Sequence, residues 1–234
     1  NMGFQDMSHR RSISRGDNIG IRYEIYINKI LKEKELQSRR FISAGATGAP
    51  DGFFLYKEKR YPIEIKRNLS ADFAQIELRW NKEHGFYYSE QSKNYEFIEV
   101  LKQEKFLDEI NSKWVDIPHK FTQKVIGTKD RYWDLDHFKD IKRDVDVNVI
   151  ERFYNLKKPP VHYIQIGGKG FYYMGTDRAN LQVPRLNGTG ILRARIKTRN
   201  SRYNHYGFLV AIKLRSVTSS THDVEEKEGK IFPF

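Results

Sequence analysis

Apolar residues recur with helical spacing near the start of the chain and then in short extended runs. Residues 17–37 follow Asp17, a plausible N-cap, and their apolar positions fall three to four residues apart: Ile21, Ile25, Ile27, Ile30 and Leu31. This spacing predicts a first helix. Residues 53–56 and 61–66 are apolar runs joined by a short charged segment, which predicts a β-hairpin.

The pattern after the hairpin is less regular. Residues 70–84 (SADFAQIELRWNKEH) are predicted to form a second helix with Ser70 as its N-cap. Residues 86–89 and 95–101 indicate a further strand and helix, whereas residues 112–150 are mixed and aromatic and support no assignment. The order helix, strand, strand, helix already indicates an α/β protein of the α+β kind.

The C-terminal third reads as a strand-rich region. From residue 161 the runs YIQI, GFYYM, ILRARIKT and GFLVAIKL are separated by Gly- and Asn-containing turns, which predicts three or four antiparallel strands. The acidic segment 221–234 is expected to be a loosely held tail. We therefore divide the chain into three parts. Residues 1–150 are a core with helical additions, residues 151–220 are a basic strand-rich part expected to be continuous with the core, and residues 221–234 are the tail.

Composition narrows the class of protein. A chain of 234 residues with 14% aromatic residues is large enough to bury a core. It has no cysteine, which excludes disulfides, thiolate metal sites and thiol nucleophiles. No run of apolar residues is long enough for a membrane span or a secretory signal. We expect a cytoplasmic, intracellular protein that does not interact with membranes.

The net charge of +12 is concentrated in one block. Residues 152–215 carry 13 Lys and Arg and a single acid, Asp177, whereas the rest of the chain carries 29 residues of each sign. A block of one sign, interleaved with Tyr, His and Asn, predicts a polyanionic partner, most commonly nucleic acid.

The hairpin brings charged residues together. A turn centred between residues 58 and 59 would place Asp51 opposite Lys66, within one residue of register, with Glu64 on the same strand face as Lys66. Two neighbouring carboxylates favour a hard cation such as Mg²⁺ or Mn²⁺. A nearby ammonium group suits the activation of water for phosphodiester hydrolysis.

Pro50-Asp51, twelve intervening residues and then Glu64-Ile65-Lys66 resemble the signature of the PD-(D/E)XK nuclease superfamily. The resemblance covers roughly residues 17–84. It implies a restriction-endonuclease-like core, with a central mixed sheet flanked by helices and a Mg²⁺ ion held by Asp51, Glu64 and the Ile65 carbonyl. Lys66 would assist the attacking water. Mg²⁺ is the expected cofactor, and Mn²⁺ is expected to be able to substitute for it.

Some members of that superfamily add an acid from the first helix and a polar residue from the helix after the motif. These positions correspond here to Glu24 and to Gln75 or Glu77. Together with the basic C-terminal part, the resemblance is greatest to type II restriction endonucleases, which are prokaryotic. It implies a homodimer that cuts double-stranded DNA, because two-fold symmetry matches a palindromic site.

The basic block supplies the candidate DNA contacts. In ILRARIKTR the cationic residues alternate with Leu192, Ala194 and Ile196, so a strand there would have one cationic face. The loop NSRYNH follows this strand, and DRANLQVPR precedes it. The candidates are Arg178, Asn180, Gln182, Arg185, Arg193, Arg195, Lys197, Arg199, Arg202, Tyr203, Asn204 and His205.

Several alternatives stay open. The hairpin is also compatible with an ordinary exposed Glu-Lys pair in a non-catalytic DNA-binding protein. A repair, recombination or structure-selective nuclease of the same superfamily would have the same motif. A basic RNA-binding module is a further alternative, although no aromatic RNP-type motif is present.

Overall fold

The computed structural model of the protein describes residues 17–37, 49–200 and 205–234. Within these ranges the chain is a mixed α/β protein with six helices and two sheets, which agrees with the expected α+β class. No helix in them is long and apolar enough to cross a membrane. The helices are α1 (Asp17–Glu33), α2 (Tyr95–Gln103), α3 (Phe106–Lys113), α4 (His119–Thr122), α5 (Thr128–His137) and α6 (Asn148–Leu156). The strands are β1 (Gly52–Tyr56), β2 (Lys59–Lys66), β3 (Ala74–Asn81), β4 (Gly85–Tyr88), β5 (Ile141–Asp146), β6 (Tyr163–Ile166), β7 (Gly170–Tyr173), β8 (Gly188–Asn200) and β9 (His205–Val217).

The first sheet has the order β1-β2-β6-β7 and is mixed, because β2 and β6 run parallel while the other pairs are antiparallel. Helix α1 covers one face through Ile27 and Leu31, which are fully buried against Ile63 and Ile65 of β2. Ile25 was expected on the same apolar stripe but is 55% exposed. Glu64 and Lys66 alternate with the two buried isoleucines and so lie toward the other face of the sheet.

The second sheet, β4-β3-β9-β8-β5, is antiparallel throughout. The larger core joins its inner face to the opposite face of the first sheet. Phe208, Val210 and Ile212 of β9 contribute from one side, and Ile164 and Ile166 of β6 from the other. Helix α6 packs into this core and carries a buried tyrosine toward β2.

The prediction of a helix over residues 70–84 is wrong, because this segment contains β3. Ala74, Ile76 and Leu78 are buried, whereas the residues between them lie on the other face, which is the two-residue period of a strand. Pairing with β4 on one side and β9 on the other satisfies the backbone of β3. Tertiary pairing therefore stabilised the strand in a segment whose apolar residues alternate, although most of its residues are also good helix formers.

The four C-terminal strands divide between the two sheets. The antiparallel pairs β6-β7 and β8-β9 agree with the prediction, but β6 also pairs in parallel with β2, which was not expected. Residue 151, where the sequence was divided, lies within α6, and each sheet contains strands from both sides of that position.

The expectation of a loosely held tail is wrong. Val224 is buried, and the backbone N–H of Asp223 donates to the carbonyl of Ile231 at 2.9 Å. The Phe234 ring packs against Phe54 of β1 with 4.3 Å between centroids. The last fourteen residues therefore complete the core on the α1 side of the first sheet.

Candidate active site

The turn of the β1-β2 hairpin lies one residue earlier than predicted. Lys57–Glu58 forms it with φ values of 48° and 63°, the positive values that a two-residue type I′ turn requires. The strands consequently pair Gly52 with Ile63, a register that differs by two residues from the predicted one. Asp51 is therefore not directly opposite Lys66, as the sequence had indicated.

The three motif side chains nevertheless meet. Lys66 Nζ lies 2.5 Å from Glu64 Oε1 and 3.8 Å from Asp51 Oδ2. The same Asp51 oxygen accepts a hydrogen bond of 2.9 Å from the backbone N–H of Ile65, which ties the carboxylate to the middle of the motif. The side chains of Lys66 and Asp51 are 15% and 18% exposed, so solvent reaches the cluster from one side only.

Glu64 is held from the interior of the protein. Its side chain is 4% exposed, and the hydroxyl of Tyr154 donates to Oε1 at 2.9 Å. Its second oxygen, Oε2, is buried without a hydrogen-bond partner among the residues that the structure describes. A buried carboxylate oxygen left in this way carries a desolvation cost that a bound cation would offset.

Helix α1 contributes to the same place. Asn28 donates from Nδ2 to the backbone carbonyls of Asp51, at 3.0 Å, and Glu24, at 2.9 Å. This bridge holds α1 against the motif. Glu24 Oε2 is a second buried oxygen without a partner, and its carboxylate interacts electrostatically with Glu64 and Lys66.

The electrostatics separate the two motif carboxylates. Burial raises the pKa of Asp51 well above its usual value, and the charge of Glu64 raises it further. Burial acts on Glu64 in the same direction, but Lys66 and Lys157 outweigh it and hold the pKa of Glu64 below its usual value. Burial alone would lower the pKa of Lys66, yet its carboxylate neighbours raise it, so the lysine stays charged.

These groups fit Mg²⁺ or Mn²⁺. All the atoms that could coordinate a metal ion are oxygens. Two of them, Glu24 Oε2 and Glu64 Oε2, are buried without hydrogen-bond partners among the described residues. Among the residues that the structure describes, no group of three or more His, Cys, Asp or Glu side chains is arranged to hold a metal ion. Magnesium, however, is commonly held by one or two carboxylates together with substrate phosphate and water. Asp51 and Glu64 are the residues that would hold it here.

The other predicted accessory residues do not join the cluster. Gln75 and Glu77 lie on β3 rather than on a helix, and they occupy the outer face of the second sheet. Of the three candidates, only Glu24 lies with the motif. Sequence reasoning missed Asn28, Tyr154 and Lys157, because nothing in the local pattern distinguishes them from other polar or aromatic residues of a helix and its end.

The predicted cationic face of β8 exists, but its arginines are paired. Leu192 and Ala194 are buried, so Arg193 and Arg195 project from the opposite face. Arg193 forms an ion pair with Asp140, and Arg195 lies 3.8 Å from Asp72. Both acids lie outside residues 152–215, so the charge count of the basic block does not reveal them.

The second candidate segment is also largely engaged within the protein. Arg185 pairs with Glu151 at 2.8 Å, and the backbone N–H of Gln182 donates to Asp177 at 2.8 Å. Asn180 and Gln182 are both in left-handed backbone conformations. Arg178 lines a small pocket beside Tyr61.

The remaining DNA candidates fall at the β8-β9 turn. Lys197 is half-buried on β8 and pairs across to Gly207, and His205 begins β9 with an exposed side chain. The side chain of Arg199 and the residues Arg202, Tyr203 and Asn204 lie outside the part of the chain that the structure describes.

No family model, curated protein or solved structure was found to match this chain. Its function is therefore inferred from the geometry of the site alone.

Proposed function

We propose that this chain is a Mg²⁺-dependent endonuclease of the PD-(D/E)XK type, most similar to type II restriction enzymes, that hydrolyses phosphodiester bonds in double-stranded DNA. The observation that carries the proposal is the convergence of Asp51, Glu64 and Lys66 at one partly open edge of a mixed sheet. A helix-covered mixed sheet with this hairpin is also the core that the resemblance implies.

Each residue has a distinct role in the proposed reaction. Asp51 and Glu64, with the Ile65 carbonyl, hold Mg²⁺, which when bound supplies Lewis-acid polarisation of the scissile phosphate. Lys66 orients the attacking water by hydrogen bonding and balances the negative charge that develops. The water oxygen forms the new bond to phosphorus and releases a proton to solvent, the bond from phosphorus to the 3′ oxygen breaks, and that oxygen leaves and takes up a proton from solvent.

Two further side chains position the reacting groups. Tyr154 fixes the Glu64 carboxylate from the protein interior, and Asn28 holds the backbone at Asp51 against α1. Neither touches the substrate in this proposal, so both are positioning residues. A homodimer with one such site for each DNA strand is the expected assembly.

The direct test is incubation of long duplex DNA with the purified protein and Mg²⁺, beside an EDTA control and the variants Lys66→Ala and Lys59→Ala. Lys59 lies on the same strand but is exposed, so its variant should cleave like the wild type. Discrete fragments that disappear with EDTA and with Lys66→Ala support a sequence-specific nuclease. A smear lost in the same two controls indicates a repair-type or structure-selective relative.

A non-catalytic DNA-binding protein is the second candidate. The observation in its favour is the 2.5 Å contact between Lys66 and Glu64, which is also what a purely structural buried ion pair would show. Duplex, branched and methylated DNA that are all bound but never cut in Mg²⁺ would favour this reading over the nuclease.

A further inference from the structure

A groove in the described part of the protein is lined by cations from three adjacent strands of the second sheet. Its volume is about 850 Å³. The cations along it are Lys142, Arg143, Arg193, Lys213 and Arg215. One acid, Asp144, also lines it. Two of the three strands, β5 and β9, contribute cations that were not among the residues expected to contact DNA.

Two of these cations have no ion-pair partner in the described ranges of the chain. Arg143 contacts Glu104 and Glu109, Arg193 pairs with Asp140, and Arg215 pairs with Asp144. By contrast, Lys142 and Lys213 form no ion pair with any described residue. The cross-strand register places them around the centre of the groove, since Lys142 lies opposite Arg193 and Lys213 lies opposite Ile191. These two ammonium groups are therefore the ones available to an external anion.

One loop connects the candidate active site with the groove along the chain. The loop that follows Lys66 supplies one wall of the groove through Leu69 and Ser70. Farther along the same loop, the Phe73 ring centroid lies 5.7 Å from Lys66 Nζ. The backbone N–H of Phe73 donates to the carbonyl of Ile212 at 2.8 Å, so the loop runs beside the C-terminal half of β9, which carries Lys213.

We propose that this groove binds the phosphate backbone of duplex DNA, with Lys142 and Lys213 as phosphate contacts, and so aligns the strand that is cut. The inference rests on the proposed nuclease function, because that function is what makes the polyanion DNA. Phosphate contacts of this kind set position and affinity rather than sequence preference. They also release counterions, which makes their contribution measurable as a salt dependence.

The test is fluorescence anisotropy with a labelled 30-base-pair duplex and the full chain in EDTA, where no cleavage occurs, over a series of salt concentrations. The double variant Lys142→Gln with Lys213→Gln should reduce the slope of log K against log salt by about 1.8, since each phosphate contact contributes about 0.9. Because the two lines converge near 1 M salt, binding at 0.1 M should weaken by about 60-fold.

The matched control is Lys102→Gln with Lys124→Gln, which removes two exposed lysines outside the groove. Thermal unfolding of both double variants verifies that they are folded. An unchanged slope in the groove variant, an equal loss in the control variant, absence of duplex binding, or tighter binding of an equally long single-stranded DNA or RNA would each overturn the inference.

The two proposals fail in different ways. If the wild type cleaves DNA in Mg²⁺ but the groove variant binds normally, the nuclease stands and the groove assignment falls. If nothing is cleaved but binding depends on Lys142 and Lys213, the groove assignment stands and the nuclease falls.

Discussion

At the scale of single residues, the site buries two carboxylates, Asp51 and Glu64, beside one ammonium group, that of Lys66. Glu64 and Lys66 keep each other charged although burial opposes it, whereas Asp51 lies next to that pair with its pKa raised by burial and by Glu64. Such a cluster is unfavourable for folding unless a ligand binds it. Residues kept at a cost in stability are typical of functional sites.

Asp51→Asn is therefore expected to stabilise the metal-free protein. The change removes a carboxylate beside Glu64 while keeping an oxygen that accepts from the Ile65 N–H, so the free energy of unfolding should rise by about 1–2 kcal/mol at pH 7. Mg²⁺ at 100 times its dissociation constant should add about 2.7 kcal/mol to the wild type and much less to the variant. Urea unfolding with and without Mg²⁺ measures both effects.

Asp116→Asn is the control for this measurement, because Asp116 is exposed and has no ion pair among the described residues. It should leave both the metal-free stability and the Mg²⁺ effect unchanged. Equal stabilisation of the wild type and the Asp51→Asn variant by Mg²⁺ would show that the ion binds elsewhere.

At the scale of elements, the site depends on how α1 sits against the β1-β2 hairpin. Asn28 bridges the helix to Asp51, and it also accepts a hydrogen bond of 2.6 Å from Gln37, so its side chain is held from two directions. Gly52 lies directly beneath it. A Cβ at that position would come within 2.6 Å of Asn28 Oδ1 and 3.0 Å of Ile63 Cγ2.

Gly52→Ala should therefore lower the free energy of unfolding by about 1–3 kcal/mol, because the added methyl group displaces either the helix or the strand. Gly20→Ala serves as the matched change on α1. No atom lies within 4 Å of the position of its added Cβ, so its higher helix propensity should stabilise the protein by about 0.5–1 kcal/mol. Urea denaturation of both variants gives the comparison, and a loss of stability in Gly20→Ala would contradict this account of α1.

The sequence predicted the elements that neighbouring residues specify. It did not predict elements whose conformation depends on pairing with distant strands. The first helix and the two hairpin strands follow from apolar spacing, but the turn at Lys57–Glu58 has no Gly or Asn to mark its position. The resulting shift of two residues misplaced Asp51 relative to Lys66. In β3 the residues of AQIELRWN alternate perfectly, yet most of them are also good helix formers. Hydrogen bonding to β4 and β9 stabilises this segment as a strand.

At the scale of the whole molecule, acids from distant segments meet the basic block. Asp72, Asp140 and Asp144 lie outside residues 152–215 and pair with arginines inside them. The positive excess visible in the sequence is consequently reduced on much of the second sheet. In the groove, Lys213 of this block and Lys142, which precedes the block, form no ion pair with a described residue.

The C-terminal segment is another long-range contribution. Phe234 packs on Phe54 and Phe171, so Phe234→Ala should lower the free energy of unfolding by about 2 kcal/mol, less than for a fully buried phenylalanine. Ile231→Ala, in the same segment but 60% exposed, should change it by less than about 0.5 kcal/mol. Equal, negligible effects of both substitutions in chemical denaturation would mean that the tail contributes no packing.

The sequence by itself determined the helix, the hairpin, the motif of Asp51, Glu64 and Lys66, and the strands of the basic block, because each depends on residues close together in the chain. The tertiary structure decided the strand identity of β3, the parallel pairing of β2 with β6, the docking of the tail and the partners of the arginines. It also brought Tyr154 to Glu64 from 90 residues away. Contacts of that separation depend on which faces become buried together, and local spacing carries no information about them.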